Sequence, residues 1–161
     1  MHQSVMGFVA LAVKKYDLRH KKVLEIGSYN VNGSVRWLFK GDYTGIDREA
    51  GPGVDLLMNA SDMDLDDHSF DVVVSTSQLE HDPTFWLTLA EVGRVLRSGG
   101  HFILTTHTTG FPPHNGPDFY RFLDDTWRLL MDMAGCDIVD SRADPQVGGG
   151  PQLVGVRRVR Q

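Results

Sequence analysis

Cysteine is almost absent from this chain: Cys136 is the only one in 161 residues. A fold stapled by intrachain disulfides is therefore excluded, and a lone thiol points to a reducing, cytoplasmic setting. Long apolar runs are missing too. The run Gly7 to Val13 falls far short of the roughly 20 residues that cross a bilayer. Lys14 and Lys15 follow that run, whereas the basic start of a signal peptide would precede it. Basic charge is scarce: 16 Lys+Arg stand against 21 Asp+Glu, a net charge of −5. The only cationic cluster, Arg157, Arg158 and Arg160, reads as a solvated tail, so the charge argues against nucleic acid as a partner. Repeats, low-complexity tracts and linker-like stretches are lacking as well. These absences predict a single domain over residues 1–161, with an N-terminal helix (1–20), a core (21–135) and a C-terminal strand pair (136–161), and no membrane partner.

What is present alternates between two periodicities. Residues 3–17 carry Val5, Phe8, Val9, Ala12 and Val13 on one helical face. Val23-Leu24-Glu25-Ile26, stopped by Gly27, reads as a buried strand. Gly33-Ser34 predicts a second helix, with Ser34 as N-cap and Val35, Leu38 and Phe39 as its apolar positions. Strands are expected at 43–47, 54–57, 70–76 and 101–106, with a helix over 84–97 that Gly99-Gly100 stops. A helix over 122–134, ended by Gly135, leads into strands 136–142 and 153–159 around a Gly-rich turn at 148–150. Strands and helices at this spacing predict an α/β fold, a mostly parallel sheet covered on both faces with one reversed strand inserted.

In such sheets ligands bind outside the C-terminal strand ends. The loop Gly27-Ser28-Tyr29-Asn30-Val31-Asn32-Gly33-Ser34 has glycines near both ends and small polar residues between. Its amides, with the start of the expected helix, suit a carboxylate or phosphate; a tight turn with capping residues is the plainer alternative. It is not G-x-G-x-x-G, because Tyr29 occupies the second glycine position. Asp47, 20 residues after Gly27, closes the second strand, where an acid accepts both hydroxyls of a ribose. Asn59-Ala60-Ser61 offers an acceptor and an amide to an adenine edge, or else an Asx turn.

The ordered set Val23-Leu24-Glu25-Ile26-Gly27, Tyr43-Thr44-Gly45-Ile46-Asp47, Ser69-Phe70-Asp71-Val72-Val73, Leu79-Glu80-His81 and Arg94-Val95-Leu96-Arg97-Ser98-Gly99-Gly100 resembles the class I S-adenosylmethionine-dependent methyltransferases, in particular the small type 11-like domains. The resemblance covers about residues 20–135. It implies a Rossmann-like, doubly wound, seven-stranded sheet of order 3-2-1-4-5-7-6 whose last strand is antiparallel, and S-adenosylmethionine as cofactor. By the same resemblance Glu25 and Gly27, with Ser28, Tyr29, Asn30 and Gly33, sit beside the methionine part. Asp47 and Arg48 serve the ribose and adenine, and Asn59, Ala60 and Ser61 the adenine. Ser75, Thr76 and Gln78 lie at the fourth strand's end, near the cofactor's amino group. Tyr29 and Asn59 depart from the family's glycine and aspartate.

Methyl transfer from a sulfonium asks the protein chiefly to hold the acceptor in line, and a hydroxyl acceptor also asks for a base. His107, one residue past the fifth strand, and His81, in the Leu-Glu-His motif, are the candidates. Glu80 either pairs with a nearby histidine or is solvated. His114, Phe119 and Tyr120, with Phe111, lie in the Gly- and Pro-rich loop expected on the acceptor side, which alternatively forms a rigid lid. The spacing of His81, Asp82, His107 and His114 matches no metal-ligand pattern. The expected function is therefore methyl transfer to a small-molecule or glycan-like acceptor, with a homodimer as one way to complete so short a site. The alternatives are a catalytically inactive S-adenosylmethionine- or nucleotide-binding module and, against the missing glycine motif, a nicotinamide oxidoreductase.

Overall fold

A computed structural model describes residues 3–110, 116–144 and 150–159. His114, Phe111, Arg160 and most of the Gly-rich turn at 148–150 lie outside the described residues. The elements run α1 (Gln3–Lys15), β1 (Val23–Ile26), β2 (Tyr43–Asp47), β3 (Leu56–Leu57), β4 (Phe70–Thr76), α2 (Phe85–Val95), β5 (Leu96–Thr105), α3 (Trp127–Met133), β6 (Cys136–Ala143) and β7 (Pro151–Arg157). They form one seven-stranded sheet in the order β3-β2-β1-β4-β5-β7-β6. Pairing is parallel from β3 through β5, and β7 runs antiparallel to both β5 and β6. The α/β class, the strand order and the inserted reversed strand are all as expected.

The central strands are continuous apolar runs because both faces are covered. Val23, Val72, Val74, Ile103 and Val154 pack under Phe8, Val9, Ala12 and Val13 of α1 on one face. Leu24, Ile26, Val73, Phe102 and Leu104 pack under Leu89, Val92, Leu130 and Met131 of α2 and α3 on the other. Alternation along each strand divides its side chains between the two cores.

Three elements differ from expectation. The helix predicted after Gly33-Ser34 is a single 3-10 turn, Arg36–Leu38. The Lys40 and Gly41 amides both donate to the Arg19 carbonyl at 2.6 and 3.3 Å, pulling the chain across to β2 before an α-helix has length to repay its nucleation. The N-cap of what remains is Val35 and not Ser34, which accepts the Arg36 amide at 3.1 Å from one residue earlier. Helix α2 ends at Val95, and β5 begins at Leu96, five residues early. Leu96 pairs with Phe70, and the register shift that follows absorbs Arg97 to Gly100. Finally, α3 begins at Trp127, since Phe122 is held out of helix by donating its amide to the His107 carbonyl at 2.8 Å.

The first two strand-end loops cross over Gly45 of β2. A Cβ there would lie 2.5 Å from the Gly53 carbonyl oxygen and 2.7 Å from Ser28 Oγ, and Asp55 accepts the Gly45 amide at 2.7 Å. Arg36 anchors the crossing from the 3-10 turn through its ion pair with Asp55. Gly45→Ala is therefore expected to destabilise the fold by about 1–3 kcal/mol through overpacking, measured by urea unfolding. A change within about 0.5 kcal/mol, ordinary for a surface site, would contradict this packing.

Candidate active site

One large cleft, of about 1010 Å³, opens at the C-terminal ends of β1, β2 and β4. That is at the upper end of ligand pockets and leaves room for more than one small molecule. Glu25, Gly27, Ser28, Tyr29, Gly33, Asp47, Arg48, Asn59, Ala60, Thr76 and Gln78 line it, and so do His81 and His107. Asn30, Ser61, Ser75, Phe119 and Tyr120 do not. Asn30 turns inward to accept the Gly33 amide at 2.8 Å. Ser75 is buried beneath the cleft floor, where its hydroxyl is 3.4 Å from Gln78 Oε1.

Gly27 lines the cleft where the chain approaches Gln78 closely. Its φ of +74° is left-handed, and a Cβ would sit 2.7 Å from the Gln78 side chain, so only glycine fits both the turn and the neighbour. The expected helix dipole is lost with the helix, leaving loop amides and side chains to meet a ligand. Tyr29 donates its amide to Asp47 Oδ2 at 3.2 Å, and its ring lies over Gly51, away from the glycine-like close approach. Asp47 Oδ1 accepts the Glu49 amide at 3.1 Å, so the carboxylate is fixed at the strand end with lone pairs to spare. Asn59 Oδ1 closes an Asx turn by accepting the Ser61 amide and hydroxyl at 3.2 and 3.0 Å; the turn forms, and it occupies the oxygen expected to meet an adenine.

Glu25 is 3% exposed, and its Oε2 and the Ser28 hydroxyl have no hydrogen-bond partner. Burial pushes the Glu25 carboxyl up to about 7, against the Tyr43 hydroxyl and Arg36, which favour its ionised form. A buried carboxylate on a cleft floor with one oxygen left unpartnered suits a cationic group.

The opposite wall centres on Glu80, which sequence reasoning left between paired and solvated. It is buried at 1% exposure. Thr106 Oγ1 donates to it at 2.6 Å and His107 Nδ1 at 2.5 Å. Its carbonyl accepts the Phe119 and Tyr120 amides at 2.8 and 3.3 Å. The Glu80 hydrogen bond holds His107 above the usual histidine range, against desolvation. With Nδ1–H given to Glu80, the neutral ring has its lone pair on Nε2. His81 Nδ1 meets the Pro117 carbonyl at 2.7 Å, a loop-ordering contact. Asp118 and Arg121, paired with each other, also line the cleft. Neither they nor Glu80 stand among the expected site residues; the signals present are the Leu-Glu-His motif for Glu80 and the opposite charges at 118 and 121. Ser77, with φ of +52°, lines the cleft between the two walls.

A strand-end cleft split between a ribose-type acid and a histidine–carboxylate pair defines a ligand site of the Rossmann-like class. Comparisons with known proteins narrow the class. Residues 35–104 match the family described as "Methyltransferase domain". The chain is 39% identical over 101 residues to a phthiotriol/phenolphthiotriol dimycocerosates methyltransferase of Mycobacterium tuberculosis, covering 53% of this chain and 37% of that one. It is 31% identical over 124 residues to a fatty-acid O-methyltransferase of Mycolicibacterium smegmatis, covering 68% and 44%. In fold it resembles the Burkholderia thailandensis 1,6-didemethyltoxoflavin-N1-methyltransferase solved with S-adenosylhomocysteine, with a TM-score of 0.77 at 19% identity over 96% of this chain and 79% of that one. Residues 35–104 thus match the methyltransferase-domain family, and the fold of the chain resembles that of solved methyltransferases. The chain spans about two fifths of the length of the curated relatives it matches.

A carboxyl whose folded pKa is raised binds its proton in the native state after the unfolded chain has lost it, so stability falls as pH rises from about 4.5 to about 7. In the ligand-free protein, Glu25→Gln is expected to remove that slope and to add roughly 2–3 kcal/mol above pH 7. Thermal denaturation from pH 5 to 8 measures it; parallel curves for parent and variant would reject the assignment.

Proposed function

We propose that this chain is an S-adenosylmethionine-dependent methyltransferase that methylates an oxygen of a small-molecule or lipid acceptor. The single observation that carries this is the placement in one cleft of buried Glu25, whose Oε2 lacks a hydrogen-bond partner, and the Glu80–His107 dyad. The residues fit the cofactor. Glu25 faces its cationic amino-acid end, Gly27 and Gln78 frame its approach, and Asp47 takes the ribose hydroxyls. Arg48, Ala60 and the Asn59 turn border the adenine. Bound there, S-adenosylmethionine would supply its sulfonium methyl, the bond from methyl carbon to acceptor oxygen forming in line as the carbon–sulfur bond breaks and S-adenosylhomocysteine leaves.

The protein's own residues then do three things. The two walls hold the acceptor at attack distance, which supplies most of what such a displacement needs. His107 Nε2 takes the acceptor proton as general base. Glu80 acts as a positioning residue, fixing the ring's tautomer and stabilising its charged form. The names of the curated relatives support an acyl-bearing acceptor over the sugar-bearing one that shortness alone suggested. A cytoplasmic location is supported by the free, buried Cys136.

Asp47→Ala is expected to weaken S-adenosylhomocysteine binding about 10–100-fold, the worth of one or two hydrogen bonds to a charged acceptor, by titration calorimetry; unchanged affinity would reject the ribose assignment. For the base, the neutral ring is the active form, so turnover rises with pH through a His107 pKa above 6.5. Glu80→Gln should lower kcat about 10–1000-fold and move that acidic limb to lower pH. His107→Ala should abolish the limb. Formation of S-adenosylhomocysteine across pH 5.5–9 measures both, and an unmoved limb in Glu80→Gln would reject the dyad.

A further inference from the structure

The acceptor-side wall continues past the cleft into an apolar ledge with no role in the transfer itself. Helix α2 opens with Phe85-Trp86-Leu87, and the segment 117–123 crosses over it. Phe85 is the root of the ledge: its ring meets Phe122 at 5.1 Å, Tyr120 at 5.0 Å and Trp86 at 5.4 Å, all edge to face. Tyr120 in turn neighbours Phe119 at 6.3 Å. Phe122 is buried and Phe85 half-buried, while Trp86 and Phe119 stay 45% and 49% exposed, beside Leu87 at 46%. Tyr120 also donates its hydroxyl to the Pro83 carbonyl at 3.0 Å. The outer rings are thus held by inner ones and by the Glu80 carbonyl, which accepts the Phe119 and Tyr120 amides.

The ledge and the cleft share one segment. Pro117, Asp118 and Arg121 line the cleft, and Phe119, between them, points onto the surface. Ring contacts link Phe119 through Tyr120 and Phe85 to Trp86, so the ledge is continuous with the cleft wall at Asp118 and Arg121. We propose that the Trp86–Phe119 ledge, with Leu87, is the subsite for the alkyl or acyl chain of the methyl acceptor. This rests on the methyltransferase reading of the cleft and adds the acceptor's second binding element. The size of the ledge selects its occupant. A stable protein interface buries roughly 1,200–2,000 Å², whereas a large aromatic side chain offers about 150–250 Å² even when wholly covered. Two half-exposed rings and a leucine match a hydrocarbon chain and not a second copy of this protein. Rigid rings rooted in a core also contact a chain without losing much freedom on binding.

The test titrates n-alkanoates of about six to about twelve carbons, all below micelle formation, into the full chain saturated with S-adenosylhomocysteine; a methylene lying on one open face should add about twofold in affinity, half the free energy of full burial. Trp86→Ala and, separately, Phe119→Ser should flatten that increment toward no change per methylene while S-adenosylhomocysteine affinity holds. Both positions are exposed, and matching circular dichroism spectra verify folding. A chain-length increment that survives in both variants, or no increment in the parent although S-adenosylhomocysteine binds, overturns the ledge and leaves the methyltransferase reading standing. Failure of S-adenosylhomocysteine to bind the parent overturns both. A dimer in sedimentation that Trp86→Ala dissociates overturns it in favour of contact between copies.

Discussion

Glu80 is the residue on which the acceptor half of this molecule depends. It sits in a 3-10 turn, Leu79–His81, just past β4, with its side chain reaching under the end of β5 and its carbonyl turned toward the segment 117–122. None of these pieces has regular structure to hold it in place. Taking a carboxylate out of water is expensive unless its lone pairs are filled, and here Thr106 and His107 fill them. The same burial that demands these partners fixes their geometry. A solvated carboxylate would leave His107 free to rotate and Thr106 without its acceptor.

The cofactor half depends on a different constraint, close backbone approach. Gly27 leaves space for Gln78, and Gly45 leaves space for Ser28 and the Gly53 carbonyl. These contacts let the strand-end loops approach closely, and Glu25, in register with Gly45, is buried beside them. The two halves therefore differ in character. One is shaped by the sheet and its glycines, the other by hydrogen bonds among irregular segments anchored to a buried charge.

That difference decides what could be read from the sequence. Strands β1, β2 and β4 announce themselves as apolar runs ended by turn residues, and Gly27 and Asp47 fall at their ends, so most of the cofactor-side lining was legible. The pairing of Glu80 with His107 spans 27 positions, and no local periodicity encodes it; the Leu-Glu-His motif marked the place but not the partner. Arg121 and Asp118 were hidden for the same reason. The helix expected after Ser34 failed in the opposite way. Val35, Leu38 and Phe39 have helical spacing, and Val35 and Phe39 are buried as predicted, but two amides donating to the Arg19 carbonyl override the local preference. Spacing predicted which residues point inward, and a tertiary contact decided the backbone that carries them.

The short 3-10 turn has a further structural consequence. A full helix at this position would direct several unpaired amides and the positive end of its dipole at the cleft. With only Arg36–Leu38 in its place, that positive field is largely missing, and the floor retains the negative character set by Glu25 and Asp47. The site is thereby better matched to the cationic, sulfonium-bearing end of S-adenosylmethionine than to a dinucleotide's pyrophosphate, which needs an α-helix N-terminus where the described residues after β1 form only a 3-10 turn. The same deviation from the expected fold that weakens a phosphate site therefore favours the methyl donor, and it does so without any residue in the cleft being changed.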